Sequence, residues 1–167
     1  MNFYKGIPFF CISIAYWENK EAIYSGVFAP FLNELFYAEK GKGAILNGKP
    51  LKVSQNNNLN ESVISMSGYS SFEKHNTGLA YIKLSKSIKN MRILSSSILD
   101  MCYVASGRCE ARVYASCKFW DIAASKLILE EAGGKITNWN NKVDYFSSQI
   151  VASNNVLHNK LLKIIND

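Results

Sequence analysis

No apolar run in this chain approaches the roughly 20 residues that a membrane-spanning helix needs. The best candidate, Ile7 to Tyr16, is far too short, and it lacks the basic flank and small-residue cleavage site of a secretory leader. The four cysteines, Cys11, Cys102, Cys109 and Cys117, show no paired zinc spacing. Two of them sit inside apolar runs, as buried free thiols do, and a reducing cytoplasm is the compartment that suits them. A dense basic run is also missing. The net charge is +6, yet Lys40 and Lys42, Lys83, Lys86 and Lys89, Lys160 and Lys163 are scattered and not interleaved with aromatics. That distribution reads as solvated surface and argues against nucleic-acid binding as the main role. There is no internal repeat and no linker long enough to separate two domains.

What is present is enough apolar side chain for a core: 167 residues, 48% hydrophobic and 13% aromatic, with only 19% charged. Gly6 to Glu18 and Glu21 to Phe28 read as strands. Asn47-Gly48, between short apolar runs, is a strong hairpin signal, because both residue types tolerate the positive φ of a type I′ turn. The first fifty residues therefore predict an antiparallel meander. Val63 to Met66 reads as a short buried strand ending at Gly68. Thr77 to Lys89 reads as an amphipathic helix, Arg92 to Leu94 as a strand, and Ser95, Ser96 or Ser97 as the cap of a helix that Gly107 stops. Ala111 to Tyr114 is a further strand, and Phe119 to Ala132 a helix closed by Gly133-Gly134. Strands at Ile136 to Trp139 and Ile150 to Ser153 and a helix from Val156 to Ile165 complete an α+β, layered αβα architecture.

Asp121 stands at the expected start of the Phe119 to Ala132 helix. The bland account is that it charges a helix N-terminus, where the dipole favours a carboxylate. The chemical account is a ligand for a hard cation such as Mg²⁺, which takes oxygen donors and is held by a few carboxylates plus substrate phosphate. For His75 and His158 an ordinary surface or core role is preferred.

The segment Trp120-Asp121-Ile122-Ala123-Ala124-Ser125 through Glu131-Ala132-Gly133-Gly134 resembles the C-terminal signature of the inositol monophosphatase family, Trp-Asp-x-Ala-[Ala/Gly]-Gly … Glu-Ala-Gly-Gly, with Ser125 in place of the usual glycine. Asn2-Phe3, Gly6 and Pro8-Phe9 resemble the stretch after the family's first metal motif. Pro30, Asn33, Glu34, Phe36, Gly41, Gly43-Ala44 and Asn47-Gly48, with Val53-Ser54 following, resemble its hairpin. Asp100 to Gly107 resembles the helix behind the substrate, and Ala152-Ser153-Asn154 with His158 the closing strand and helix. The resemblance leaves out only residues 55 to 90.

It implies a phosphomonoesterase using bound Mg²⁺ on inositol or related sugar monophosphates. Asp121 would be a metal ligand close to substrate, Ser96 and Ser97 would lie at the substrate, and Tyr114 would stand where many relatives carry a substrate-binding glutamate. The family's Gly-[Ser/Thr]-Ala reads Ser95-Ser96-Ser97 here. The motif Asp-Pro-[Ile/Leu]-Asp-Gly-Thr-Thr-Asn-Phe meets this chain only from its second threonine, where Met1 falls. The remaining aspartates, Asp100, Asp144 and Asp167, have no matching spacing. The expectation is therefore one incomplete domain over 1–167, with a β meander over 7–54 and alternating helices and strands over 62–167. Catalysis by this chain alone is not expected, because the catalytic set is incomplete. An apolar sheet face is expected to be left open for a separate N-terminal fragment or for a homodimer. The alternatives are a non-catalytic module acting on transcription or RNA-processing machinery, and, ranked lower, a phosphatase of nucleotide 3′-phosphates.

Overall fold

A computed structural model describes residues 1–66 and 77–167; the expected strand end at Gly68 and His75 lie outside the described residues. The first half is the predicted meander: β1 (Ile12–Glu18), β2 (Glu21–Ala29), β3 (Glu34–Glu39), β4 (Gly43–Leu46) and β5 (Lys49–Pro50), all antiparallel and paired in chain order. Two hairpins close through two-residue turns with both φ values positive, Asn19 and Lys20 at 49° and 68° and Asn47 and Gly48 at 48° and 79°. That geometry matches the right-handed twist of the flanking strands. β1 begins later than the sequence suggests. Phe3–Lys5 is a 3₁₀ turn ended by Gly6 at φ 68°, and Pro8 has no N–H to give to a sheet.

The second half is a mixed sheet. β6 (Val63–Met66) runs parallel to both β7 (Asn90–Arg92) and β8 (Ala111–Tyr114), and β10 (Ile150–Ser153) runs antiparallel to β8 and β9 (Lys135–Asn138). Among the described residues, α1 (Thr77–Ser85), α2 (Ser97–Ala105), α3 (Ser125–Glu131) and α4 (His158–Asn166) accompany it. α2 and α3 pack between the two sheets. Their buried side chains, Leu99, Met101, Cys102, Leu127, Ile128 and Leu129 among them, meet Val27, Phe36 and Ala38 of the first sheet and Tyr114, Ile136 and Ile150 of the second. The other face of the second sheet (Ile64, Met66, Val113, Val151) packs on α1 and α4 through Leu84, Leu161 and Ile165. The order of layers is thus sheet, helices, sheet, helices, in agreement with the expected layered α+β class.

The outer face of the first sheet has no such cover among the described residues. Ile12, Ile14, Tyr16, Tyr24, Leu35 and Tyr37 all point outward, Ile14 being 74% exposed. Strand alternation puts them on one face, opposite the Phe36 and Val27 face that meets the helices.

Three further boundaries differ from expectation for physical reasons on view. α1 stops at Ser85, where serine hydroxyls take up its last carbonyls: Ser85 Oγ donates to Ile82 O and Ser87 Oγ to Lys83 O. The strand expected at Arg92 to Leu94 lies at Asn90–Arg92, because parallel pairing puts Asn90 opposite Val63 and Arg92 opposite Ser65. The expected helix from Phe119 to Ala132 is broken. Phe119–Asp121 form a 3₁₀ turn, Ile122 departs at φ −125°, and α3 begins only at Ser125. Trp17 Nε1 donates to Ala123 O across this break. Gly133, at φ 90°, ends α3 as expected.

Candidate functional site

Tyr114 ties the C-terminal end of β8 to the N-terminal end of α2: its hydroxyl donates to Ser97 O at 2.7 Å. Asp121 follows β8 by one short loop, so it lies toward the same end of the layer. The Asp121 carboxylate is half-buried and accepts the N–H of Lys118 through Oδ2 at 2.9 Å, closing the 3₁₀ turn. It does not sit in the first turn of α3, a correction to the expected placement. Its neighbours on the turn point outward: Trp120 is 67% exposed, with the Lys118 ammonium 5.1 Å from its ring centroid.

The Ser95–Ser97 loop is held from several sides. Ser95 takes the positive φ of 61° that leads into α2. Ser96 O accepts from Asp100 N, and the Cys11 thiol is hydrogen-bonded to Ser96. Asn2 Nδ2 donates to Phe9 O at 2.7 Å and to Leu94 O at 3.0 Å, which docks the first residues of the chain against this loop. The first-turn amides of α2 are the donors that a helix leaves without internal partners. The structure thus brings Asn2, Cys11, Ser96, Ser97 and Tyr114 into one connected arrangement.

Tyr114 is only 1% exposed, and its hydroxyl braces the first turn of α2. Burial holds its phenol well above the usual range, keeping it a neutral donor. Beneath it lies an ion pair that the sequence reading did not single out. Arg112 Nη1 is 3.0 Å from Asp100 Oδ2 and donates to Ser65 Oγ at 3.0 Å, while its guanidinium carbon stands 4.6 Å from the Tyr114 ring centroid. Both charged groups are fully buried. Desolvation outweighs the attraction of Arg112 and pushes the Asp100 carboxyl up to about 6. The Tyr114→Phe variant keeps the ring and loses the bond to Ser97. A loss of about 1 kcal/mol in thermal unfolding is expected, with faster amide exchange over residues 97–101. Unchanged exchange there would remove the brace role.

His158 is buried between two hydroxyls. Thr137 donates to Asn138 O and so accepts from Nε2–H of His158 at 2.8 Å, which leaves Nδ1 to accept from Ser153 Oγ at 2.8 Å. Burial, with Lys135 nearby, pulls its pKa down to about 4. It is a neutral structural pin, as expected of a core histidine. All four cysteines are free thiols, and three of them are buried.

Among the described residues no group of three or more His, Cys, Asp or Glu side chains converges on a point that could hold a metal. Asp121 alone is one carboxylate, and a hard divalent ion draws its affinity from several oxygens. The residues present do not by themselves make a two-metal centre. Nor is any described helix long and apolar enough to cross a membrane.

The model of the inositol monophosphatase family matches residues 1–167. A fructose-1,6-bisphosphatase/inositol-1-monophosphatase of Thermotoga maritima is 40% identical over 100% of this chain and 64% of its own length. A Nus factor SuhB of Xylella fastidiosa is 37% identical over 83% of this chain and 51% of its own. The extragenic suppressor protein suhB of Bartonella henselae superposes with a TM-score of 0.94 at 31% identity, over 99% of this chain and 66% of that one. The chain thus spans between about half and two thirds of the length of these relatives. The family model covers residues 1–167, and a relative is 40% identical over the whole of them: the chain belongs to the inositol monophosphatase family.

Proposed function

We propose that these residues serve hydrolysis of a phosphomonoester of inositol or a related sugar, with Mg²⁺ as the metal and Asp121 as one of its ligands. The observation that carries this is the Asp121 carboxylate on a turn that follows β8, whose last residue, Tyr114, braces the N-terminus of α2, in a fold shared with relatives named for that activity. Bound Mg²⁺ would supply an activated water and neutralise phosphoryl charge. The chain's own share is to hold the Asp121 carboxylate through the Lys118 amide and to present the Ser96–Ser97 amides to substrate oxygens. The other metal-binding oxygens would come from outside the described residues. We place the protein in the cytoplasm, consistent with its free thiols.

The test is phosphate release from inositol 1-phosphate with Mg²⁺. The purified 167-residue chain is expected to give none. Turnover that Asp121→Asn abolishes would overturn the inactivity, and turnover that Asp121→Asn leaves intact would overturn the ligand role. A second reading, a non-catalytic module on transcription or RNA-processing machinery, is favoured by the single carboxylate and by the relative named Nus factor SuhB. A pull-down from lysate that enriches no such component would count against it.

A further inference from the structure

The outer face of the meander carries three cross-strand rows. Register sets Ile12 beside Phe28 and Leu35, Ile14 beside Gly26 and Tyr37, and Tyr16 beside Tyr24 and Glu39. Alternation along each strand keeps the rows on one face, opposite the face that meets α2 and α3. The rows hold one charge, Glu39, at the end of the last of them, and its carboxylate is paired with Lys42 at 2.6 Å. A centre depleted of charge and rich in aromatic side chains is the composition of a protein–protein interface core.

Size points the same way. The largest apolar patch on a typical monomer covers roughly 300–600 Å². The side chains of the three rows offer on the order of 800 Å² of accessible surface, which is the share each partner gives to a stable interface of standard size.

The shape suits a face that meets itself. Gly26 stands in the middle row of the middle strand, and a Cβ there would meet nothing within 4 Å, so the centre of the face is a hollow. Its φ is not positive, so the strand itself does not call for glycine. Ile14 rises on one flank of the hollow and Tyr37 on the other, both exposed. A two-fold axis along β2 through Gly26 lays all three strands of one copy on those of another. Ile14 then covers Tyr37 of the second copy and Tyr37 covers its Ile14, the reciprocity of an isologous contact. No side chain stands on the axis to hold the two sheets apart, and sheets stacked face to face bury their rows between them.

We propose that the outer face of the meander is a docking surface for a second copy of this chain, closing a symmetric dimer through the two stacked sheets. The rows do not include Asp121, so this stands or falls separately from the phosphomonoester reading. Sedimentation velocity on the 167-residue chain from about 1 to 100 µM tests it. Dimer is expected to predominate at the upper end, and Ile14→Glu to weaken association roughly a hundredfold by burying a carboxylate at the centre. Because Ile14 is exposed in the single chain, that variant should keep the far-UV circular dichroism of the parent. Gly26→Val, whose Cβ is clear of its own chain, should weaken association roughly tenfold by filling the axis from both sides. Phe31→Ser, 71% exposed on the β2–β3 turn and outside the rows, should leave association unchanged. A chain that stays monomeric throughout would overturn the proposal and leave the face to a different polypeptide. So would a dimer that Ile14→Glu and Gly26→Val leave intact, a dimer that Phe31→Ser dissolves, or growth past the dimer, which a closed two-fold contact does not produce.

Discussion

Arg112→Met is expected to lower stability by about 3–5 kcal/mol at pH 8, because it leaves the Asp100 carboxylate buried and without a countercharge. The loss should shrink on acidification. Burial already raises Asp100 to about 6 with Arg112 in place, and removing the cation raises it further, so the variant escapes the penalty by taking up a proton. Urea unfolding at pH 8 and pH 5 measures this, and a deficit of equal size at both would refute it.

The parent chain carries two opposed acid responses. For Asp100 the folded pKa lies above the unfolded one, so its stabilising contribution is complete below about 4 and is lost as pH rises through about 6. For His158 the folded pKa lies below the unfolded value of 6.5, so its contribution is complete above 6.5 and is lost as pH falls through about 4. The two partly cancel between pH 4 and 6. Asp100→Asn removes one of them, and that variant should weaken more steeply than the parent between pH 6.5 and 4.

Gly134→Ala should cost about 3 kcal/mol, or roughly 6–12 °C in melting temperature for a domain of this size. A Cβ at this position would lie 2.3 Å from Leu129 Cδ1 and 2.8 Å from the carbonyl oxygen of Ser153. Leu129 can turn away, although it is fully buried. The carbonyl belongs to the backbone of β10, which is paired on both sides and cannot yield. The adjacent Gly133→Ala is different in kind. A Cβ there would meet only Val53 Cγ2 at 3.9 Å, and its cost is the left-handed backbone, about 1 kcal/mol. Scanning calorimetry on the pair separates the two causes, and equal losses would show that the steric account of Gly134 is wrong.

The meander was legible because local rules govern it: alternation along β1 to β3, and an Asn-Gly turn whose φ values fit no other residues as well. The family resemblance was equally legible, since its residues run contiguously through Trp120 to Gly134. What the sequence did not disclose depends on partners distant along the chain. The break after Asp121 accompanies an indole bond from Trp17, some hundred residues earlier in the chain. The register of Asn90–Arg92 is set by pairing with Val63 to Ser65 and not by its own residues. Tyr114 looked like an altered substrate contact. Its burial follows from Ser97 and Arg112 closing over it, which no spacing predicts.

The second sheet also orders events in time. β8 pairs with β6, made before it, and with β10, made near the end of the chain, and β9 attaches to the sheet only through β10. At translation rates of about 5–20 residues per second, β8 waits some seconds with one open edge. Emergence of β10, or a chaperone holding that edge until then, would therefore gate closure of the second sheet. Stop codons placed before Ile150 should yield chains that keep the meander and never close the second sheet.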